Sequence, residues 1–171
     1  MCLFCDDPDL TADECLRRVR DLVSRDRFGI VSVAGSRCVA QVSYTVGLTE
    51  HGAPELLVTG LRVDDAERLL RLWGDYLLDE SVILAGETMG CGPGVLEAVH
   101  VSRPQDTLLV AHQVYGDGVR ALQLAWADPS GRWPWQPGHR ARRAGQPLLG
   151  ERAPHHCDEH DPNRVDVPPH L

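Results

Sequence analysis

The sequence predicts an α+β domain: a mainly antiparallel sheet of five to six strands, two to three helices packed against it, and an extended C-terminal tail. Three observations carry this reading. Two segments have apolar residues at helical spacing behind N-terminal caps. Several short runs rich in Val, Thr and Tyr have strand character. The segments run α-β-β-β-α-(loop)-β-α-β, an order that suits an antiparallel sheet with its helices on one side.

The first helix is expected over residues 10–25, where Thr11-x-x-Glu14 forms a capping box and Cys15, Leu16, Val19, Leu22 and Val23 make one stripe. Strands are expected over 28–34, 39–49 and 56–61. A second helix covers 64–78, with Asp64-x-x-Glu67 as its cap and Ala66, Leu69, Leu70, Trp73 and Leu77 on one face. The glycine-rich stretch 86–94 reads as a mobile loop. A strand over 95–101 and a helix over 104–115 follow. Residues 120–126 set Leu122, Leu124 and Trp126 against Ala121, Gln123 and Ala125, the strand period. A type I turn over 128–131 comes next. The domain is expected to span 1–135, and 136–171 reads as a Pro/Gly/Arg/His-rich tail, ordered only if something holds it down.

Composition bounds function. A chain of 171 residues suits one domain with its own core. No apolar run approaches the ~20 residues that span a bilayer, and the N-terminus lacks a signal-peptide pattern, so a cytoplasmic location is expected. The net charge of −8 argues against nucleic acid as a partner, the only basic cluster being His139-Arg140-Ala141-Arg142-Arg143. Six cysteines in a reducing compartment read as thiols or metal ligands before disulfides.

Three constellations could carry chemistry. Cys2-x-x-Cys5 and Cys157-x-x-His160 together supply the donors of a structural Cys3His zinc site that would join the two termini. Incidental cysteines and a histidine-rich tail are the alternative. Glu50, His51 and Glu55 form a polar corner between two strands, in which His51 could act as a general base beside a carboxylate. In the competing reading they are loop residues, with Glu55 tying down backbone N–H groups of the turn. Tyr44, Thr45, Tyr115, Gln123, Trp126 and Asp128, with Trp133 and Trp135, could line a ligand pocket or belong to the core. A buried Gln123 amide would need a partner. His100 and His112 could each face the core or a cleft, and the core reading comes first for both.

Several pieces resemble the bacterial DUF4262 family, a domain of unknown function. They are Tyr44-Thr45-Val46-Gly47-Leu48, Pro54-Glu55-Leu56 with Thr59-Gly60-Leu61, Val114-Tyr115-Gly116, and the run from Ala121 to Trp135. Cys2-x-x-Cys5-Asp6 is similar to the start of many relatives. Trp126-Ala127-Asp128 departs from the Trp-Pro-Asp of many members. The resemblance covers roughly residues 1–150 and implies no activity. The sequence is thus read as that of a domain binding a small-molecule ligand in a pocket, with enzymatic use of it open, and with a zinc staple. A zinc-stapled module for a protein partner is the alternative, and a flavin-binding split-barrel enzyme a weaker one.

Overall fold

The computed structural model of the chain describes residues 11–79, 81–91, 94–139 and 145–153. The cysteines and histidine expected to hold zinc (Cys2, Cys5, Cys157 and His160) lie outside these residues, as do Arg140, Arg142 and Arg143.

Helix α1 (Ala12–Asp26) starts where the capping box predicts. The Glu14 amide donates to the Thr11 hydroxyl, and the Glu14 carboxylate accepts from the Thr11 amide. Strands β1 (Gly29–Val33), β2 (Val42–Val46) and β3 (Glu55–Thr59) form an antiparallel meander, with a 3-10 turn (Leu48–His51) between β2 and β3. Helix α2 (Val63–Leu78) follows. Its N-cap is Arg62, and Asp64 and Asp65 sit inside the first turn, favouring the helix through its dipole instead of capping it.

The glycine-rich segment expected to be a loop supplies strand β4 (Thr88–Cys91), paired antiparallel with β5 (Gly94–His100). Glycines weaken a strand taken alone, yet a cross-strand partner satisfies the backbone regardless of side chain. The helix expected over 104–115 is divided into a 3-10 turn (Pro104–Asp106) and a shorter helix, α3 (Leu109–Tyr115). Strand β6 (Ala121–Trp126) then inserts between β3 and β5, giving the order β1-β2-β3-β6-β5-β4. All pairings are antiparallel except β3 with β6. The sheet is open, not the closed barrel that a flavin split-barrel enzyme requires. No described helix is long and apolar enough to cross a membrane.

The helices occupy both faces of the sheet rather than one. On one face α2 packs Ala66, Leu70 and Leu77 against Ile30, Leu56, Val58, Leu122 and Leu124. On the other, Val19 and Val23 of α1 and Val110 and Ala111 of α3 meet Val31, Tyr44, Leu57 and Ala121. The reason lies in β3, all five of whose residues are buried. A strand apolar on both faces needs a layer on each.

The second face also carries polar groups. Thr59, Gln123 and Glu97 are buried there, and the segment 145–153 crosses over them. The Gln123 amide donates to the Thr59 hydroxyl (3.0 Å) and to the Pro147 carbonyl (2.8 Å), and its oxygen accepts from the Leu149 amide (2.8 Å). Arg152 grips Glu97 through two bonds of 2.7 and 2.8 Å, and its guanidinium lies 3.8 Å from the centre of the Trp135 ring. Trp135 stacks in turn on Trp133. The Gln146 amide exchanges two hydrogen bonds with the backbone of Trp126, serving as strand partner where β3 has ended. Close approach sets two glycines. A Cβ on Gly60 (φ +76°) would strike the Gly145 carbonyl, and one on Gly150 would strike that of His100.

Part of the segment read as tail is therefore held down, and Gln123 is its main anchor. Gln123→Ala should leave the Leu149 amide without its acceptor, the Pro147 carbonyl keeping the Thr59 hydroxyl, and cost about 2 kcal/mol in urea unfolding. A loss below about 0.5 kcal/mol, the usual scatter of surface changes, would mean that the segment contributes little.

Candidate functional site

A cleft of about 510 Å3 opens at the end of the sheet where β3 and β6 begin and β5 ends. Its apolar lining includes Leu77 near the end of α2, Ile83 from the segment after it, Leu122 of β6, and Ala53 with Pro54. His51, His100 and Arg120 also line it. All three are exposed.

The turn that carries His51 is held from below, from the side and from behind. Below, Glu55 is fully buried and its carboxylate receives four bonds. Oε1 accepts from the amides of Gly47 (3.0 Å) and Thr49 (3.0 Å) and from the Thr49 hydroxyl (2.8 Å). Oε2 accepts from the Thr45 hydroxyl at 2.6 Å. Burial pushes the Glu55 carboxyl above its ordinary value, and these four donors oppose the shift. From the side, the Tyr115 hydroxyl donates to Glu50 (3.0 Å). Burial, then the bond to Glu50, raises the Tyr115 phenol well above its ordinary value, so it remains a donor throughout the neutral range. From behind, Arg120 donates to the Gly52 carbonyl at 2.7 Å.

The polar corner expected as one catalytic group is thus distributed. His51 lines the cleft, Glu50 engages Tyr115, and Glu55 holds the turn beneath, as in the turn-tying alternative. Neither carboxylate is among the residues lining the cleft.

The second expected cluster does not converge on it either. Tyr44 is buried, and its hydroxyl accepts from the Val110 amide, fixing α3 to β2. The Thr45 hydroxyl accepts from the Leu56 amide while donating to Glu55. Gln123 anchors the C-terminal segment. The Trp126 indole donates to the Thr59 carbonyl at 3.1 Å. Asp128 closes its turn, its Oδ1 accepting from the amides of Ser130 and Arg132. Among the described residues no three His, Cys, Asp or Glu side chains group as a metal site.

Sequence reasoning missed Arg120 and the apolar lining, and for His100 it put the core before the cleft. His100 ends β5 opposite Leu122 and stands exposed in the cleft rather than in the core. His112 is not a core residue either, its Nδ1 sharing a 3.1 Å hydrogen bond with the Gly116 carbonyl. The available signal for His100 was its place at a strand end, where a side chain can leave the core.

Glu55 gives a test with a definite sign. Glu55→Ala orphans the buried Gly47 amide and the half-buried Thr49 amide and should cost on the order of 3 kcal/mol. Glu55→Gln should cost about 1 kcal/mol or less, because Thr45 and Thr49 can turn their hydroxyls to suit an amide. With the folded carboxyl raised, the folded chain binds more protons than the unfolded one between the ordinary glutamate value of 4.5 and the higher folded value. The stability of the native protein relative to Glu55→Gln should therefore fall as pH rises through that window. Urea titrations at several pH values read it, and a difference that grows with pH would reverse the sign.

No curated protein and no solved structure gives a significant match to the chain. The sequence model of DUF4262, "Domain of unknown function", matches residues 22–140, a stretch that holds every described residue of the cleft and ends before the segment 145–153. By that match, which spans most of its length, the chain belongs to the DUF4262 family.

Proposed function

We propose that this domain binds a small organic ligand in the cleft between the His51 turn and residues 81–85. The observation that carries the reading is the cleft's combination of volume, apolar lining and a few convergent polar groups. At about 510 Å3 it falls within the range of small-molecule sites. Val82 and Leu84 stand 69% and 66% exposed at its edge, apolar surface that a ligand's body would cover. In this reading His51 is the group through which the site would perform any acid–base step, and Glu50, Glu55, Thr45 and Tyr115 are positioning residues. A cytoplasmic location fits the exposed Cys38 thiol.

A fragment screen followed by amide NMR tests the proposal. Bound fragments should move the resonances of Gly52, Ala53, Ala85 and Ala121 together. Tyr115→Phe should weaken those fragments severalfold by loosening the turn, while leaving the unfolding free energy within about 1 kcal/mol of native. A screen whose hits all shift amides elsewhere would sink the reading.

A structural zinc site remains the second proposal, favoured by where the described chain is anchored. Ala153 lies beside Gly86, where a Cβ on that glycine would come within 3.0 Å of the alanine's own. The Cys157-x-x-His160 pair thus begins four residues beyond a fixed point, and Cys5 lies six residues before the cap at Thr11. Elemental analysis should find one zinc per chain, lost with stability in Cys157→Ser. Metal-free protein of unchanged stability would refute the staple.

A further inference from the structure

Resting on the ligand-binding reading above, we infer that the ligand of the cleft is an organic anion, an apolar body with an oxyanion head held by His51, His100 and Arg120. The chain holds 25 Asp and Glu against 17 Arg and 8 His, so a site lined at random would hold acids and bases in about equal number. The described lining instead holds two imidazoles and a guanidinium and no Asp or Glu.

The described acids around the cleft make their contacts elsewhere. Glu50 accepts from Tyr115, Glu55 from the turn, and Glu87 from the Leu84 amide. Asp79 pairs with Arg27 at 3.4 Å, and Glu97 with Arg152 on the opposite face. The described lining is thereby left with one fixed cation, Arg120, two imidazoles and no carboxylate.

Arg120 has the most to offer. One of its five N–H donors is spent on the Gly52 carbonyl, which orients the guanidinium fork at the cleft. A guanidinium so fixed loses little freedom on binding a carboxylate. The imidazoles enter from different elements, His51 from the 3-10 turn and His100 from the end of β5. Against this polar edge, Leu77, Ile83 and Leu122 form a floor too apolar for an inorganic ion alone.

The test uses the full chain and a matched pair of probes, octanoate and octanamide, which share a tail and differ in head charge. Amide NMR titrations should show octanoate shifting Gly52, Ala53 and Ala121, with an affinity about tenfold above that of octanamide. Raising the salt concentration should weaken octanoate and leave octanamide unchanged. His100→Gln should remove most of the advantage of octanoate while retaining octanamide binding, and Arg120→Gln should remove it while also weakening octanamide severalfold by freeing the turn. Equal binding of the two probes in the cleft would overturn the anionic head and leave the pocket standing. Failure of both to move the cleft amides would overturn the pocket itself, and this inference with it.

Discussion

Three polar side chains buried on one face of the sheet govern the rest of the architecture. Thr59, Gln123 and Glu97 lie on adjacent strands, β3, β6 and β5, where an unpaired amide or carboxylate would be prohibitively costly. Gln123 and Thr59 satisfy one another only in part across β6 and β3, and each strand's backbone is already paired, so the remaining polar atoms need partners from outside the sheet. The chain answers with the segment 145–153, laid across the face so that its own backbone and Arg152 supply the missing partners. The α1–α3 layer covers one half of this face and the segment covers the other. Trp133 and Trp135 then stack beside Arg152 and shield the ion pair from water, which strengthens it.

A similar logic operates at the other end of β3. A tight turn leaves backbone amides pointing inward, and Gly47 and Thr49 direct theirs at one carboxylate oxygen. Burying Glu55 opposes ionisation, while four donors favour it, so the turn and the carboxylate constrain one another. Tyr115 and Arg120 then fix the turn to α3 and to β6. The acids that a sequence reading places in catalysis are those the turn needs to exist. His51 is left on a rigid support, facing the cleft.

Legibility in the sequence followed locality. The first helix was visible because its cap and its stripe lie within one stretch, Thr11 to Val23. The second was visible through its stripe, although its cap was placed two residues late. Strand β4 was hidden because Gly90 and its neighbours disguise a segment whose only qualification is its pairing with β5. The two-sided packing was encoded in β3, where Leu56 and Val58 face α2 while Leu57 faces α1 and α3. In β6 the same fact was masked, since Ala121, Gln123 and Ala125 read as the weaker face although all three are buried. Small residues there admit a close-lying layer. The need of Gln123 for a partner was legible, but not the partner, which lies 24 to 26 residues away. The cleft drew on positions from 51 to 122 with no motif joining them, so only the fold could assemble it.

The cleft and the segment 145–153 stand on opposite faces of the same two strands, and this makes them interdependent. Leu122 and His100 are paired across β6 and β5 and both line the cleft, while Gly150 presses against the carbonyl of that same His100 from behind. Gln123, next along β6 from Leu122, points the other way into the segment. Any shift of the segment must therefore move the strand ends that form the cleft's wall, because packed layers transmit displacement rather than absorb it. The family match ends at residue 140, yet Gln123 and Glu97 inside it take their partners from residues 147–152 beyond it. The matched stretch carries the cleft's polar groups, and the segment outside it holds the sheet on which they stand.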